Sequence, residues 1–320
     1  LLLVTLDTTR ADRLGCYGYP AAEAPALDAL ARDGALLARC ITPTAFTLPS
    51  HSSIMTGLYP MYHGVRLNGG VALSDTHPTL AERLGESGYR TGAFVGAFVL
   101  DSRWGLGQGF ETYDDDFELD PGEQLDLARV QRPGDKVVDA ALAWLQQADE
   151  RPFFAWVHLY DPHTPYEPPE PYRTRCAGGP SRRYDGELAF ADAQLGRLLD
   201  WLRERGRDQR TVVVVVGDHG EGLGSHREEE HGFFIYDYAV RVPLLVRLPG
   251  GVARGVRVAA QTRTIDVAPT LLELLGVTPP ARVDGASLVP LLAAPGRGEA
   301  RSAYSESVSL SMQYGCTYGQ

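Results

Sequence analysis

A single lysine, Lys136, stands among the 320 residues, so almost all positive charge is arginine, and the formal net charge is −11. That balance argues against a nucleic-acid backbone as the main partner, while leaving room for a local pocket that holds an anion. The four cysteines, Cys16, Cys40, Cys176 and Cys316, make no C-x-x-C pair and no regular framework, which speaks against thiolate metal sites and disulfide scaffolds. No apolar run reaches the ~18 residues of a membrane span. Apolar residues make up 44% and charged residues 22%, the proportions of a globular protein. The length suits one large α/β core with an accessory piece. Because Leu1-Leu2-Leu3-Val4 is already strand-like, any signal peptide would lie upstream of residue 1, which keeps a periplasmic or secreted location open.

What the chain does contain is a series of short apolar runs that end in polar residues able to bind metal. Leu1–Leu6 ends at Asp7, Phe153–Val157 ends at His158, and the five valines of Thr211–Val216 lead to Gly217-Asp218-His219. Such runs read as buried parallel strands, and open α/β sheets place their ligands at the carboxyl ends of those strands. Further strands are expected at Ala35–Ile41, Thr91–Leu100 and Val242–Leu248. Helices are expected at Ala24–Gly34, Thr79–Ser87, Gly134–Ala148, Tyr184–Gly206 and Ile265–Leu275, several closed by glycine. Trp104–Pro121 reads as a surface loop whose acidic triplet Asp114-Asp115-Asp116 is solvated, and the prolines of Asp161–Pro171 enforce an irregular loop.

The stretch Thr47–Asn68, TLPSHSSIMTGLYPMYHGVRLN, organises the rest. Pro49 fixes φ for a first helical turn, Ser50–Met55 continues it, and Thr56-Gly57 ends it. Thr47 is thereby placed beside a helix N-terminus, where backbone N–H groups and the helix dipole favour the oxyanion of a phosphate or sulfate ester. Histidines cluster around this arrangement: His51 and His63 flank the helix, His158 and His163 share one loop region, and His219, His226 and His231 share another. Carboxylates mixed with neutral imidazoles favour zinc or manganese over calcium. One site formed by Asp7, Thr47, Asp218 and His219 is expected, and a second set, Asp161, His163 and His231, would complete a two-metal centre. A cation next to Thr47 favours its ionised hydroxyl, and a histidine acting as acid helps the leaving oxygen depart.

Several blocks together resemble the sulfatase family of the alkaline phosphatase superfamily: LDTTRADRLGCYGYP at 6–20, PALDALARDG at 25–34, the Thr47 motif, HLYDPHTPY at 158–166, GDHGEGLGSH at 217–226 and RVPLLVRLPG at 241–250. The resemblance implies an α/β/α sandwich with a mostly parallel central sheet, a sulfatase-like catalytic domain over 1–280, and a C-terminal segment, 281–320, that begins but ends truncated. The chain departs from family sulfatases where they carry the cysteine of C-x-P-S-R, matured to formylglycine. Thr47 and His51 stand at the Cys and Arg positions, and Gly96–Leu100 replaces a Lys- and His-bearing sulfate-binding segment. The run Thr47, His51, Thr56, His63, Asn68 instead resembles the threonine-using nucleotide pyrophosphatase/phosphodiesterases, and Asp218-His219 followed by His231 resembles phosphoethanolamine transferases.

These likenesses imply Thr47 as nucleophile, Asn68 and His51 as substrate-binding residues, and His163 and His231 as catalytic groups acting on a small anionic ester. The expected activity is a metal-dependent hydrolase or transferase of phosphate diesters or phosphonate esters. A sulfatase working without formylglycine and an inactive metal- and anion-binding module are the alternatives.

Overall fold

The computed structural model describes residues 1–117, 130–147, 149–296 and 301–308. Its strands are β1 (Leu2–Leu6), β2 (Ala35–Ile41), β3 (Arg90–Val95), β4 (Thr112–Asp114), β5 (Phe153–Leu159), β6 (Val213–Gly217), β7 (Arg241–Val242), β8 (Leu244–Arg247) and β9 (Val256–Arg263). The longer helices are α1 (Pro25–Asp33), α2 (Thr47–Thr56), α3 (Leu80–Glu86), α4 (Gly134–Leu145), α5 (Pro180–Glu204) and α6 (Val267–Leu274). Among the described residues the strands form one mixed sheet in the order β4-β3-β5-β1-β6-β8-β2-β7, with β9 also paired to β2.

Alternation along β1 shows how this sheet becomes the middle layer of a sandwich. Leu2, Val4 and Leu6 face a core shared with α1, α4 and α5, whereas Leu1 and Leu3 face a second core shared with α2, α3 and α6. Successive side chains of a strand point to opposite faces, so an unbroken apolar run requires cover on both. The expected α/β/α architecture is therefore the observed one. Leu288, Leu291 and Leu292, beyond residue 280, belong to the same core as α6.

β3, β4, β5 and β6 run parallel to β1 or to its neighbours, while β8 is antiparallel to both β6 and β2. One reversed strand between β6 and β2 returns β2 to the direction of β1. The carboxyl ends of β1, β2, β5 and β6 thus share one edge, and the loops after them build the site.

Several elements differ from expectation for identifiable reasons. Val242–Leu248 is split at Pro243, which has no N–H for the ladder, although its carbonyl still accepts from Gly217 N–H at 2.9 Å. β3 stops at Val95, and Phe98–Leu100 turns as a 3₁₀ helix. β4 arises inside the expected 104–121 loop, and β9 is an additional eight-residue strand. In the acidic triplet, expected to be solvated, Asp114 pairs with Arg132 and Asp115 accepts from Ser102 N–H. Residues 302–307 make a single bridge, Thr44 to Glu306.

Candidate active site

Asp7 follows β1 and Asp218 follows β6, strands that are direct neighbours, so their carboxylates meet at the shared edge. Both side chains are completely buried. Asp218 Oδ1 accepts from the N–H groups of His219 at 2.7 Å and Thr8 at 3.2 Å. Asp218 Oδ2 and both oxygens of Asp7 have no hydrogen-bond partner. Thr8 is held at φ 44°, a left-handed conformation costly for a β-branched residue. Its hydroxyl donates to Pro162 O at 2.9 Å, and Tyr184 O–H donates to its carbonyl at 2.8 Å, which ties the strained turn down on both sides.

His219 completes the group. Its Nδ1–H donates to Gly220 O at 3.0 Å, leaving Nε2 as a bare acceptor for the Thr47 hydroxyl at 3.2 Å. The same nitrogen is 3.5 Å from Asp218 Oδ2 and 3.9 Å from Asp7 Oδ1. Asp7, Asp218 and His219 offer ligand atoms that all lie within 4.8 Å of one another. Buried oxygens without partners, next to an imidazole nitrogen held free of its proton, fit a divalent cation. Burial raises the Asp7 carboxyl to about 7 and raises Asp218 as well, with Asp7 adding to the latter, while burial keeps His219 neutral.

Thr47 is the first residue of α2, with Phe46 as cap, so the helix starts two residues earlier than Pro49 alone indicates. The expected cradle of backbone donors is smaller than the dipole argument implies. Leu48 N–H is taken by Asn68 Oδ1 at 2.9 Å, Pro49 has no N–H, and Ser50 N–H bonds to Phe46 O. Apart from the N–H of Thr47 itself, anion recognition at this helix therefore falls to side chains. Because Asn68 uses its oxygen toward Leu48, its amide NH₂ is the end left to donate.

His51 requires correction as a substrate-binding residue. It is wholly buried, with Nδ1–H on Thr47 O at 2.8 Å and Nε2 on Thr5 Oγ at 2.9 Å, so both ring nitrogens are engaged inside the protein. Asp161 is engaged on one side only: its Oδ1 accepts from Gly134 N–H at 2.9 Å at the start of α4, its Oδ2 is buried without a hydrogen-bond partner, and it is not part of the group formed by Asp7, Asp218 and His219. His163 and His231 do come together, Nε2 to Nε2, at 3.2 Å. Their Nδ1–H groups donate to Thr164 O and Ala45 O, so both facing nitrogens carry lone pairs, and burial lowers each imidazole to about 4. The His231 ring lies 4.4 Å from that of His219, which joins the pair to the carboxylate group. His63 bonds to Ser53 Oγ, and His226 stacks on Tyr236.

Sequence reasoning missed Thr5. Its hydroxyl receives Trp156 Nε1–H at 3.0 Å, donates to His51 Nε2, and accepts Nδ1–H of His158 at 3.0 Å. His158 Nε2 then lies 3.3 Å from Asp7 Oδ2. The available signal was that Thr5 is the one polar residue within the apolar run 1–6.

A carboxyl raised by folding contributes stability fully below its unfolded value, and that contribution is lost as pH rises through the folded one. For Asp7, 3.8 becomes about 7. The melting temperature of chelator-treated protein is expected to fall across that interval, and to fall less steeply in Asp7→Asn; equal slopes would remove Asp7 as the cause. Asp218→Ala is expected to lose bound divalent metal by elemental analysis, and an undiminished metal content would refute the ligand set.

Comparison with known proteins identifies the family of the chain. The ulvan-active sulfatase of Formosa agariphila is 28% identical, covering 92% of this chain and 65% of its own length. The multifunctional alkaline phosphatase superfamily protein PehA of Trinickia caryophylli is 25% identical over 92% of this chain and 77% of its own. The chain thus spans about two-thirds to three-quarters of the length of these curated relatives. The crystal structure of the phosphonate monoester hydrolase of Agrobacterium radiobacter superposes with a TM-score of 0.80 at 26% identity, covering 95% of this chain and 79% of that one. Residues 1–277 match the family model described as Sulfatase, and the chain belongs to that family.

Proposed function

We propose that this protein hydrolyses, or transfers the phosphoryl group of, small phosphate diesters or phosphonate esters, using Thr47 as nucleophile. The observation that carries the reading is the Thr47 hydroxyl on the bare nitrogen of His219, beside three unpartnered buried carboxylate oxygens. When bound by Asp7, Asp218, His219 and Thr47, a divalent cation, zinc or manganese, supplies positive charge that favours the ionised hydroxyl and offsets charge on the ester. Thr47 Oγ forms a bond to phosphorus as the opposite ester P–O bond breaks, and Asn68 NH₂ donates to an equatorial oxygen. The proton that Thr47 gives up passes to the lone pairs of the His163–His231 pair, which hands it to the leaving oxygen. Water then opens the phospho-threonine, giving one proton to the same pair, from which it returns to Thr47 Oγ.

Two features favour phosphorus over sulfur. A threonine ester of sulfate has no release route comparable to in-line displacement at phosphorus, and one structural neighbour is a phosphonate monoester hydrolase. Beside His231 a cavity of about 600 Å³ is walled by Glu229, Glu230, Phe233 and Phe234. Arg227 also lines it, and the two phenylalanines suit an aryl substituent. The 3.2 Å between His163 and His231 also matches the spacing of adjacent ligands on one cation, which favours a two-metal variant of the same reaction. Metal stoichiometry, one or two per chain, separates the variants.

Aryl phosphodiester or aryl phosphonate turnover is expected to exceed aryl sulfate turnover at matched metal loading, with both lost in Thr47→Ala. Faster sulfate hydrolysis would restore the sulfatase reading, and stoichiometric metal without turnover of any ester would favour the inactive module. Asn68→Ala should retain metal and lower kcat by ~10²-fold, the scale for loss of one oxyanion donor; an unchanged kcat removes Asn68 from the site.

A further inference from the structure

The stretch 301–308 lies outside the residues that match the family, yet it is tied to three loops that carry site residues. Ser305 Oγ–H donates to Thr42 O at 2.7 Å and Glu306 N–H to Pro43 O at 2.9 Å, on the approach to Thr47. Ser307 Oγ–H donates to Gly232 O at 2.5 Å, next to His231. The Glu306 carboxylate accepts Arg66 Nε–H at 2.7 Å and Nη2–H at 2.6 Å, two residues before Asn68. Tyr304 O–H adds a third bond to the same carboxylate at 2.8 Å.

Asn68 needs such a tie. No helix or strand covers residues 64–79, and Gly69 and Gly70, both at φ 84°, follow Asn68 directly. Glycines in that conformation impose little stiffness of their own, so side-chain contacts must hold the loop. Val65 is buried in the core, Asn68 Oδ1 on Leu48 N–H is a neutral contact, and the paired Arg66–Glu306 bonds are a charged one. Glu306 is only 8% exposed, and a two-pronged guanidinium–carboxylate contact fixes direction as well as distance.

We propose that Glu306 is a positioning residue: through Arg66 it fixes the loop that presents the Asn68 amide to the substrate oxyanion, making the C-terminal segment part of the active-site frame. The proposal rests on the oxyanion role given to Asn68 above. A brace of this kind acts on the transition state more than on ground-state binding, so its loss should reach kcat and spare KM.

The test is a double-mutant cycle in the full chain with an aryl phosphodiester or phosphonate ester, reading kcat, KM, metal content and melting temperature. Glu306→Gln should lower kcat by ~10-fold, the scale of a small misplacement, with KM and metal content retained. Arg66→Ala should reproduce it. In an Asn68→Ala background, Glu306→Gln should cost less than about 2-fold further, because the group it positions is gone. Ser305→Ala loosens the segment at Thr42 without touching Arg66, and its effect should add independently to that of Asn68→Ala. Full additivity of Glu306→Gln with Asn68→Ala, or an unchanged kcat in Glu306→Gln, overturns the positioning role alone if Asn68→Ala is slow. An Asn68→Ala enzyme of normal kcat overturns both this role and the oxyanion reading beneath it.

Discussion

Two fully buried carboxylates with three of four oxygens unpaired are the constraint on which this structure turns. An isolated buried charge of this kind is among the costliest arrangements a fold can contain, and it persists only where positive charge or protons offset it. The neighbouring groups all act to preserve the arrangement rather than relieve it. Tyr184 and Pro162 hold Thr8 in a left-handed conformation that aims its N–H at Asp218, and Gly220 keeps the His219 ring in the tautomer that presents a lone pair. A protein selected only for stability would place apolar side chains here.

One hydroxyl then couples the strands to the helix. Thr5 has one proton and two acceptor positions, and the structure uses all three: Trp156 and His158 donate to it, and it donates to His51. His51 can accept because its other nitrogen has already given its proton to the Thr47 carbonyl. The chain of donors thus runs from β5 through β1 to the first turn of α2, with each tautomer set by the one before it. Removing the Thr5 hydroxyl would leave two buried imidazoles and an indole short of partners, a penalty on the order of 1–3 kcal/mol for each orphaned group.

Much of the centre was legible because it lies at ends of runs. Asp7, Asp218 and His219 terminate apolar strands, and strand ends converge by topology, so their meeting needed no knowledge of side-chain direction. His51 was misjudged for the opposite reason, and the Asp161 contact was invisible. His51 sits one turn after Thr47 on the same helix, and helical side chains lean back toward the N-terminus, which carries its ring onto the Thr47 carbonyl instead of outward. Asp161 stands next to the unfilled N–H of Gly134, a contact between segments 27 residues apart that no local pattern encodes. β9 and the split of β7 from β8 were likewise set by partners distant in sequence, and the contacts of Glu306 depend on loops separated from it by more than two hundred residues.

The reversal of β8 explains why a nucleophile from one part of the chain meets ligands from two others. β1 and β6 are parallel neighbours, so Asp7 and Asp218 would be adjacent in any version of the sheet. Thr47 would not, because it follows β2, which lies beyond β8. Had β8 been parallel to β6 while keeping its antiparallel pairing with β2, β2 would point the other way and α2 would begin at the opposite edge. Two reversals, β6 to β8 and β8 to β2, cancel and deliver Thr47 to the carboxylates, and the six-residue span after Ile41 is short enough to leave it there. Direction in the sheet, more than sequence proximity, is what makes this set of residues a site.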